Sequence, residues 1–238
     1  MSFTSNFYIN SIFKRIKVNN ITLSTTVRSE IERLGPGCSL NHIDVSEVTS
    51  FKHLFHSMNF LPGQSPDISE WDMSNAIHLS FMFARSNFDG DIGLWDLHNV
   101  KNMDYMFSVA SFNCDISNWN TENVINTDNM FSCSTFDKDI SGWNVKKLQN
   151  AYGMFSHNEK FNCDISQWEL TSILDMSHMF DSTKFTYDVS NWSKYINYET
   201  EFSHMFFGTH DLYGIEKLFK RVKKQKLNEH YETTQLCI

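Results

Sequence analysis

Apolar and polar positions along the chain recur together, with a period longer than that of any single helix or strand. The tryptophans Trp71, Trp95, Trp119, Trp143, Trp168 and Trp192 fall 24, 24, 24, 25 and 24 residues apart. Eleven residues after each of the first five comes a Met-Phe pair: Met82-Phe83, Met106-Phe107, Met130-Phe131, Met154-Phe155 and Met179-Phe180. After Trp192 the pair is thirteen residues on, at Met205-Phe206. Just before each tryptophan stands Asp, then Ile or Val, then Ser or Gly, with the aspartates at Asp67, Asp91, Asp115, Asp139, Asp164 and Asp188. A phenylalanine opens each later unit, at Phe88, Phe112, Phe136, Phe161 and Phe185. A weaker first unit has Ile43 in the tryptophan column and Leu54-Phe55 in the Met-Phe column. A fixed period of about 20–50 residues marks an array whose units bury their apolar sides only against their neighbours.

Within a unit, Asp-Ile-Ser-x-Trp is short and bounded by small polar residues, so it predicts a short strand or extended edge. Seven residues after the tryptophan stands a helix-capping type, at Asn102, Asn126, Asn150 and Asp175, with Ser50 in the first unit and His78 as the exception. Such side chains accept from the unpaired amides of a helix's first turn, so each unit is expected to run strand, turn, then short helix or 3₁₀ turn. The expected fold is an α/β repeat solenoid of about seven coils of 24–25 residues, with helical caps at both ends. Met1–Asn20 places Ile9, Ile12, Phe13 and Ile16 at helical spacing. Thr26–Leu34 places Val27, Ile31 and Leu34 on one helix face, stopped by Gly35-Pro36. Ile215–Lys226 reads as an amphipathic helix. The expected division is an N-terminal helical cap over 1–40, repeats over 41–207, a C-terminal cap helix over 208–227 and a tail over 228–238, all one structural domain.

The recurring phrase, Asp-Ile-Ser-x-Trp-Asp-x-x-Asn-Val leading to Met-Phe, covers about Leu40–Phe207. It resembles the BspA-type leucine-rich-repeat surface-protein family, in particular its Mycoplasma-lipoprotein repeat of unknown function. The resemblance implies a leucine-rich-repeat-like solenoid that binds other macromolecules, and it brings no catalytic residues.

Composition narrows the picture. The net charge is −8 and 15% of residues are aromatic. Ile215–Lys226 carries six Lys or Arg and one Glu, +5, so the rest of the chain carries −13. No apolar run is long enough to span a membrane, and the first twenty residues lack the apolar core of a signal peptide; an intracellular protein is expected. The cysteines number five, an odd count without a Cys-x-x-Cys pair. Cys114 and Cys163 share a column two units apart, roughly 10 Å at strand spacing and beyond disulfide reach, so free thiols are expected. No His-Glu-x-x-His pattern, glycine-rich phosphate loop or nucleophile elbow is present, and neither a metal nor a cofactor is expected.

The six tryptophans read as an internal ladder. The aspartate column either accepts hydrogen bonds from amides and hydroxyls, tying turns together, or shares cations; one Asp per coil and few glycines fit calcium poorly. The columns just before Met-Phe vary from unit to unit: Ser80-Phe81, Asp104-Tyr105, Asp128-Asn129, Tyr152-Gly153 and Ser177-His178. Phe81, Tyr105, Tyr152, His178 and Tyr187 are therefore candidate binding residues, the alternative being that these rings pack against the next coil. The expected function is a non-enzymatic protein-binding scaffold, an effector or inhibitor of a host protein. Two alternatives are an acidic nucleic-acid mimic that blocks a DNA- or RNA-binding protein, and a surface adhesin. Nucleic acid itself is not an expected ligand.

Overall fold

In the computed structural model of the protein, residues 15–197, 199–209, 218 and 220 are described. Strand β1 (Ile16–Lys17) pairs in parallel with β2 (Ile43–Asp44), and helix α1 (Leu23–Leu34) lies between them in sequence. From there each unit sits beside the next through a parallel bridge at one recurring position, with a second bridge, Ser39 to Asp67, between the first two units. The bridges join Ser50, His78, Asn102, Asn126, Asn150, Asp175 and Glu201 in order, one residue per unit.

Turns occupy the places where a strand and a short helix were expected. Between Leu79 and Ser86, three turns overlap: Met82 N donates to Leu79 O, Ala84 N to Phe81 O and Ser86 N to Phe83 O. Phe81 and Arg85 have φ of 58° and 57°, as type II turns require at their third residue. A left-handed residue every fourth position ends any run of helical bonds. The remaining amides turn sideways: Leu79, Phe81, Phe83 and Arg85 N donate to Asn102, Asp104, Met106 and Ser108 O of the next unit. The same pattern recurs down the array. Two left-handed columns result, one at His53, Phe81, Tyr105, Asn129, Gly153, His178 and His204, the other at Ser57, Arg85, Val109, Cys133, His157, Ser182 and Gly208.

The capping-type residues do cap, but they cap turns. Asn126, Asn150 and Asp175 each accept the amide two residues on, at 2.8–3.0 Å. The aspartate column behaves alike: all six side chains accept from the amide two residues on, at 2.8–3.0 Å. These bonds stay inside one unit; links to a neighbouring unit are added at Asp67, which accepts from Asn41 Nδ2 at 2.8 Å, and at Asp139, which accepts from Cys163 Sγ at 3.2 Å. Links between units come from asparagines four residues after the tryptophans, where Asn75, Asn99 and Asn123 Nδ2 reach Ser46, Ser74 and His98 O.

The tryptophans are buried, yet the continuous aromatic ladder is made of phenylalanine. Phe55, Phe83, Phe107, Phe131, Phe155, Phe180 and Phe206 stack at 5.4–5.8 Å, with ring planes within 13°. Phe88, Phe112, Phe136, Phe161 and Phe185 lie against it at 3.7–4.5 Å. Among the described residues, only Trp119 and Trp143 stack on one another. The tryptophans instead stitch units: Trp71, Trp95, Trp119, Trp143 and Trp168 Nε1 donate to Leu40, Ile68, Ile92, Ile116 and Ile140 O of the preceding unit.

At the N-terminal end, Ile16 lies in β1 rather than in the expected helix, whose first fourteen residues are outside the described set. The second expected helix begins three residues earlier, at Leu23, where Asn19 Oδ1 accepts the Ile21 and Thr22 amides. Asn20 ends the array chemically. Inside it, the Ile77 and His78 amides both donate to Thr49 O; for the first unit, the Thr49 and Ser50 amides donate to Asn20 Oδ1. A side-chain amide thus stands in for the carbonyl of a preceding unit. The expected C-terminal cap helix over 208–227 falls outside the described residues except for Gly208, Thr209, Leu218 and Lys220, of which the last two are helical and Leu218 is buried.

Candidate functional site

The first left-handed column forms a ridge of side chains. At its N-terminal end the His53 and Phe81 rings stack at 4.8 Å, and Phe81 and Tyr105 at 4.5 Å with planes 3° apart. Tyr105 Oη accepts from Asn129 Nδ2 at 3.1 Å. At the other end His178 and His204 stack at 5.0 Å. Between the two stacks the column holds Gly153, where the ridge has no side chain. A Cβ there would lie 2.6 Å from Asn129 Oδ1, because the asparagine amide leans into the space.

The column beside it runs Ser80, Asp104, Asp128, Tyr152 and Ser177. Tyr152 is exposed, and its ring meets His178 at 5.5 Å. Asp104 accepts from Ser80 Oγ at 2.6 Å, and Asp128 from Asn129 Nδ2. Burial pushes the Asp128 carboxyl above its ordinary value, Asp104 and Asp175 push it further, and the Asn129 amide pulls the other way. His178 Nδ1 is 2.9 Å from Asp181 Oδ2, which leaves that side chain held from behind.

Four of the five candidate binding residues, Phe81, Tyr105, Tyr152 and His178, thus belong to these two adjoining columns. Their rings do pack on neighbouring units, as the alternative held, while Phe81, Tyr105 and His178 stay half-buried rather than buried. Tyr187 stands apart, in the column of Cys114, Lys138 and Cys163, with its ring against Phe185. His53, Asn129, Gly153 and His204 were missed as site residues. Their signal was the register itself, since each directly precedes Met-Phe or Leu-Phe in its unit.

The aspartate column lies on another part of the unit and is exposed at all six positions. The Ser117 amide and hydroxyl hold Asp115 below the usual carboxylate range, and those of Ser141 do the same for Asp139, with the Cys163 thiol adding to it. Burial raises the Cys114 and Cys163 thiols, which keeps them protonated and unreactive. Among the described residues, no three His, Cys, Asp or Glu side chains gather as a metal site needs, and no helix is long and apolar enough to cross a membrane.

Two overlapping stretches, residues 25–135 and 108–219, match a family described as Mycoplasma protein of unknown function, DUF285. The chain belongs to this family. The DUF285 matches take in every tryptophan unit and both left-handed columns. BspA-like repeats are related to the DUF285 repeat. No curated protein and no solved structure matches the chain.

Proposed function

We propose that this chain is a non-enzymatic scaffold that binds a protein through the ridge from His53 to His204. The reading takes the array as a leucine-rich-repeat-like solenoid of the BspA type. The observation that carries it is a split between backbone and side chain. All seven ridge positions share a left-handed backbone, yet they hold His, Phe, Tyr, Asn, Gly, His and His. A position whose backbone is fixed by the array and whose side chain is not can encode a partner without disturbing the core. Half-buried aromatic rings held on both sides lose little freedom on binding, which favours them as anchors. An effector or inhibitor acting on a host protein is the role that fits such a surface.

Affinity capture of the tagged chain from a host lysate at physiological salt tests the reading. One dominant protein is expected, retained by a Lys223→Ala/Lys224→Ala variant and lost from a Phe81→Ala/Tyr105→Ala/Tyr152→Ala variant. Capture of no protein by a folded chain overturns it.

A second reading rests on the exposed aspartate column. Six carboxylates at equivalent positions, on a chain carrying −8 overall, resemble a row of phosphates. A nucleic-acid mimic would capture DNA- or RNA-binding proteins, and raised salt would release them. Adhesion at a cell surface is the role the BspA relationship brings, and binding to intact cells would reveal it.

A further inference from the structure

The N-terminal end of the ridge lies in a part of the chain that is free of acid. Between Glu47 and Asp67, and again between Asp72 and Asp89, no Asp or Glu occurs, although the chain carries 28. These segments hold Lys52, His53 and His56 in the first unit and His78 and Arg85 in the second, and Lys101 leads into the third. Lys52, Arg85 and Lys101 are exposed. Among the described residues none of these three side chains has a hydrogen bond or a carboxylate within ion-pair distance. The ion pairs join Lys17–Glu47, Arg33–Glu30, Lys138–Asp137, Lys146–Glu169 and Lys184–Glu159, besides those of histidines.

The cations gather around the first ring stack. Burial pushes the His56 imidazole below its ordinary value, and His53 and Arg85 push it further. Burial lowers His78 as well, with Lys52 and Lys101 adding to it and the Asp104 carboxylate pulling back. The His53 ring, 5.5 Å from that of His56 and 4.8 Å from that of Phe81, joins the two groups. The Asn102 amide donates to His78 Nδ1 at 2.8 Å, so the neutral ring keeps its proton on Nε2 as a donor. Positive and donor groups thus reach from Arg85 across the His53–Phe81 stack to Lys101. Further down the same columns the sign reverses. Lys52 and Ser80 are followed by Asp104 and Asp128, neither with a cation within ion-pair distance among the described residues. His78 is followed, beyond three asparagines, by Asp175 and Glu201. The ridge and its flanking columns are therefore basic at one end only.

This polarity selects the ligand. An anion is drawn to the first two units and repelled by those that follow, so it must be short. A nucleic acid, charged along its whole length, would run on over Asp104 and Asp128. A single phosphate is best met by converging guanidinium groups, whereas here one guanidinium and two ammonium groups are spread across the units. Separate carboxylates spaced along a peptide match that spread. We propose that Lys52, Arg85 and Lys101, with His56 and His78 between them, take a short run of Asp or Glu from the partner protein. The inference rests on the ridge being a protein-binding face and names what the partner brings to it. On a chain of net charge −8, an acidic segment finds no comparable welcome at the other end of the ridge, so the patch also fixes which way round the partner lies.

A random-sequence peptide library selected on the full chain tests this. Retained peptides are expected to be enriched in Asp and Glu. Resynthesised with Asn and Gln in their place, they should bind at least about tenfold more weakly, and raised salt should weaken the acidic peptides but not the neutral ones. The exchange alters no residue of the protein, so it stands whatever a variant does to folding. Lys52→Glu/Lys101→Glu should weaken the acidic peptides at least about tenfold and strengthen the same peptides remade with Lys. It should not lower the melting temperature, because neither ammonium has a partner among the described residues. If peptides are retained, lose binding with Phe81→Ala/Tyr105→Ala, yet show no acidic enrichment and no effect of Lys52→Glu/Lys101→Glu, the acidic-segment site is overturned and the binding face survives. If the folded chain retains no peptide, both are overturned. A phosphoserine peptide or a single-stranded oligonucleotide that binds more tightly than every acidic peptide overturns the assignment to carboxylates.

Discussion

The unit from Phe112 to Phe131 and the last tryptophan unit, from Phe185 to Phe206, carry the same aromatic columns and differ in how the indole is held. Both tryptophans are buried, Trp119 at 3% and Trp192 at 0% exposure. Trp119 Nε1 donates to Ile92 O at 3.0 Å, while Trp192 Nε1 has no partner among the described residues. The backbone explains the difference. Ser190–Lys194 closes into a 3₁₀ helix, and Tyr195 N returns to Trp192 O at 2.8 Å, a bond with no counterpart after Trp119. The phenylalanine ladder survives: Phe180 and Phe206 stack at 5.4 Å. Stacked ring faces tolerate a shifted backbone because dispersion and apolar burial are not directional. The indole bond fails under the same shift because its geometry is narrow. The core is therefore graded, with two kinds of contact in the middle and one at the end.

Truncation should show the gradient at its largest. Trp119→Ala is expected to cost about 3–5 kcal/mol, read as a fall in urea midpoint. Trp192→Ala should cost less by roughly 1–3 kcal/mol, because the full-length indole already leaves a buried donor unpaired. Phenylalanine sharpens the test, since it keeps the ring and deletes only the donor. Trp119→Phe should lose about 1–3 kcal/mol through the lost indole bond to Ile92 O, which keeps the Trp95 amide, and through the smaller ring, and Trp192→Phe should lose less, because it deletes only a donor without a partner among the described residues. Equal losses at the two sites would mean that the indole bond contributes nothing and that the two units are held alike.

The second left-handed column reverses the contrast. Here the unit just before the central one carries the awkward residue, Val109 at φ 57°, and the last unit carries Gly208 at φ 71°. A β-branched side chain is poorly tolerated at positive φ, and the left-handed region costs an L-residue about 1–2 kcal/mol. Val109→Gly should therefore stabilise by up to about 1 kcal/mol, the gain reduced by the glycine's freedom when unfolded. Gly208→Val should destabilise by at least about 1–2 kcal/mol, since a Cβ there would also lie 3.0 Å from Ser182 Oγ. Thermal melts of the pair decide it. If Val109→Gly destabilises, the exposed valine is holding a contact that outweighs its backbone strain.

How far these features could be read from sequence follows from the same physics. The buried columns were legible because volume must recur wherever units stack, so Trp119 and Phe131 announce themselves at a fixed period. The turns were not. Positive φ is normally signalled by Gly or Asn, but among the described residues twelve non-glycine ones adopt it, among them Phe81, Arg85 and Val109, and such side chains give no hint of it. The capping residues misled for a chemical reason: Asn126 accepting from Asp128 N is the same bond as a helix N-cap, so sequence alone could not separate a capped helix from a capped turn. Phe81, Tyr105, Tyr152 and His178 were legible as candidates by varying inside a fixed frame. Tyr187 varies too but lies in a different column, and variation alone does not show which columns adjoin. Asp128 was visible as a variable position, while its lack of a cation depends on what the other units place around it.

The smallest expected effects separate Asp128 from Asp139, which differ in what folding does to the charge. Folding lowers the Asp139 carboxyl below its ordinary value, chiefly through the Ser141 amide, so the ionised form is favoured. Its contribution is full above the unfolded value, about 3.9, and is lost as pH falls through the lower folded one. Folding raises Asp128, chiefly by burial, so its charge is a penalty at neutral pH that fades as pH falls through the raised value towards about 3.9. Asp139→Ala should thus cost about 0.5–1 kcal/mol at pH 7, with the gap to wild type narrowing towards pH 3. Asp128→Asn should be more stable than wild type at pH 7 by about 0.5 kcal/mol, with the advantage closing at higher pH than the Asp139 effect, between the raised value and about 3.9. Urea unfolding at stepped pH reads both curves on one scale. A destabilised Asp128→Asn at pH 7 would make that carboxylate part of the framework; a stabilised one marks a charge that the fold tolerates without needing, which is the condition for its serving a partner instead.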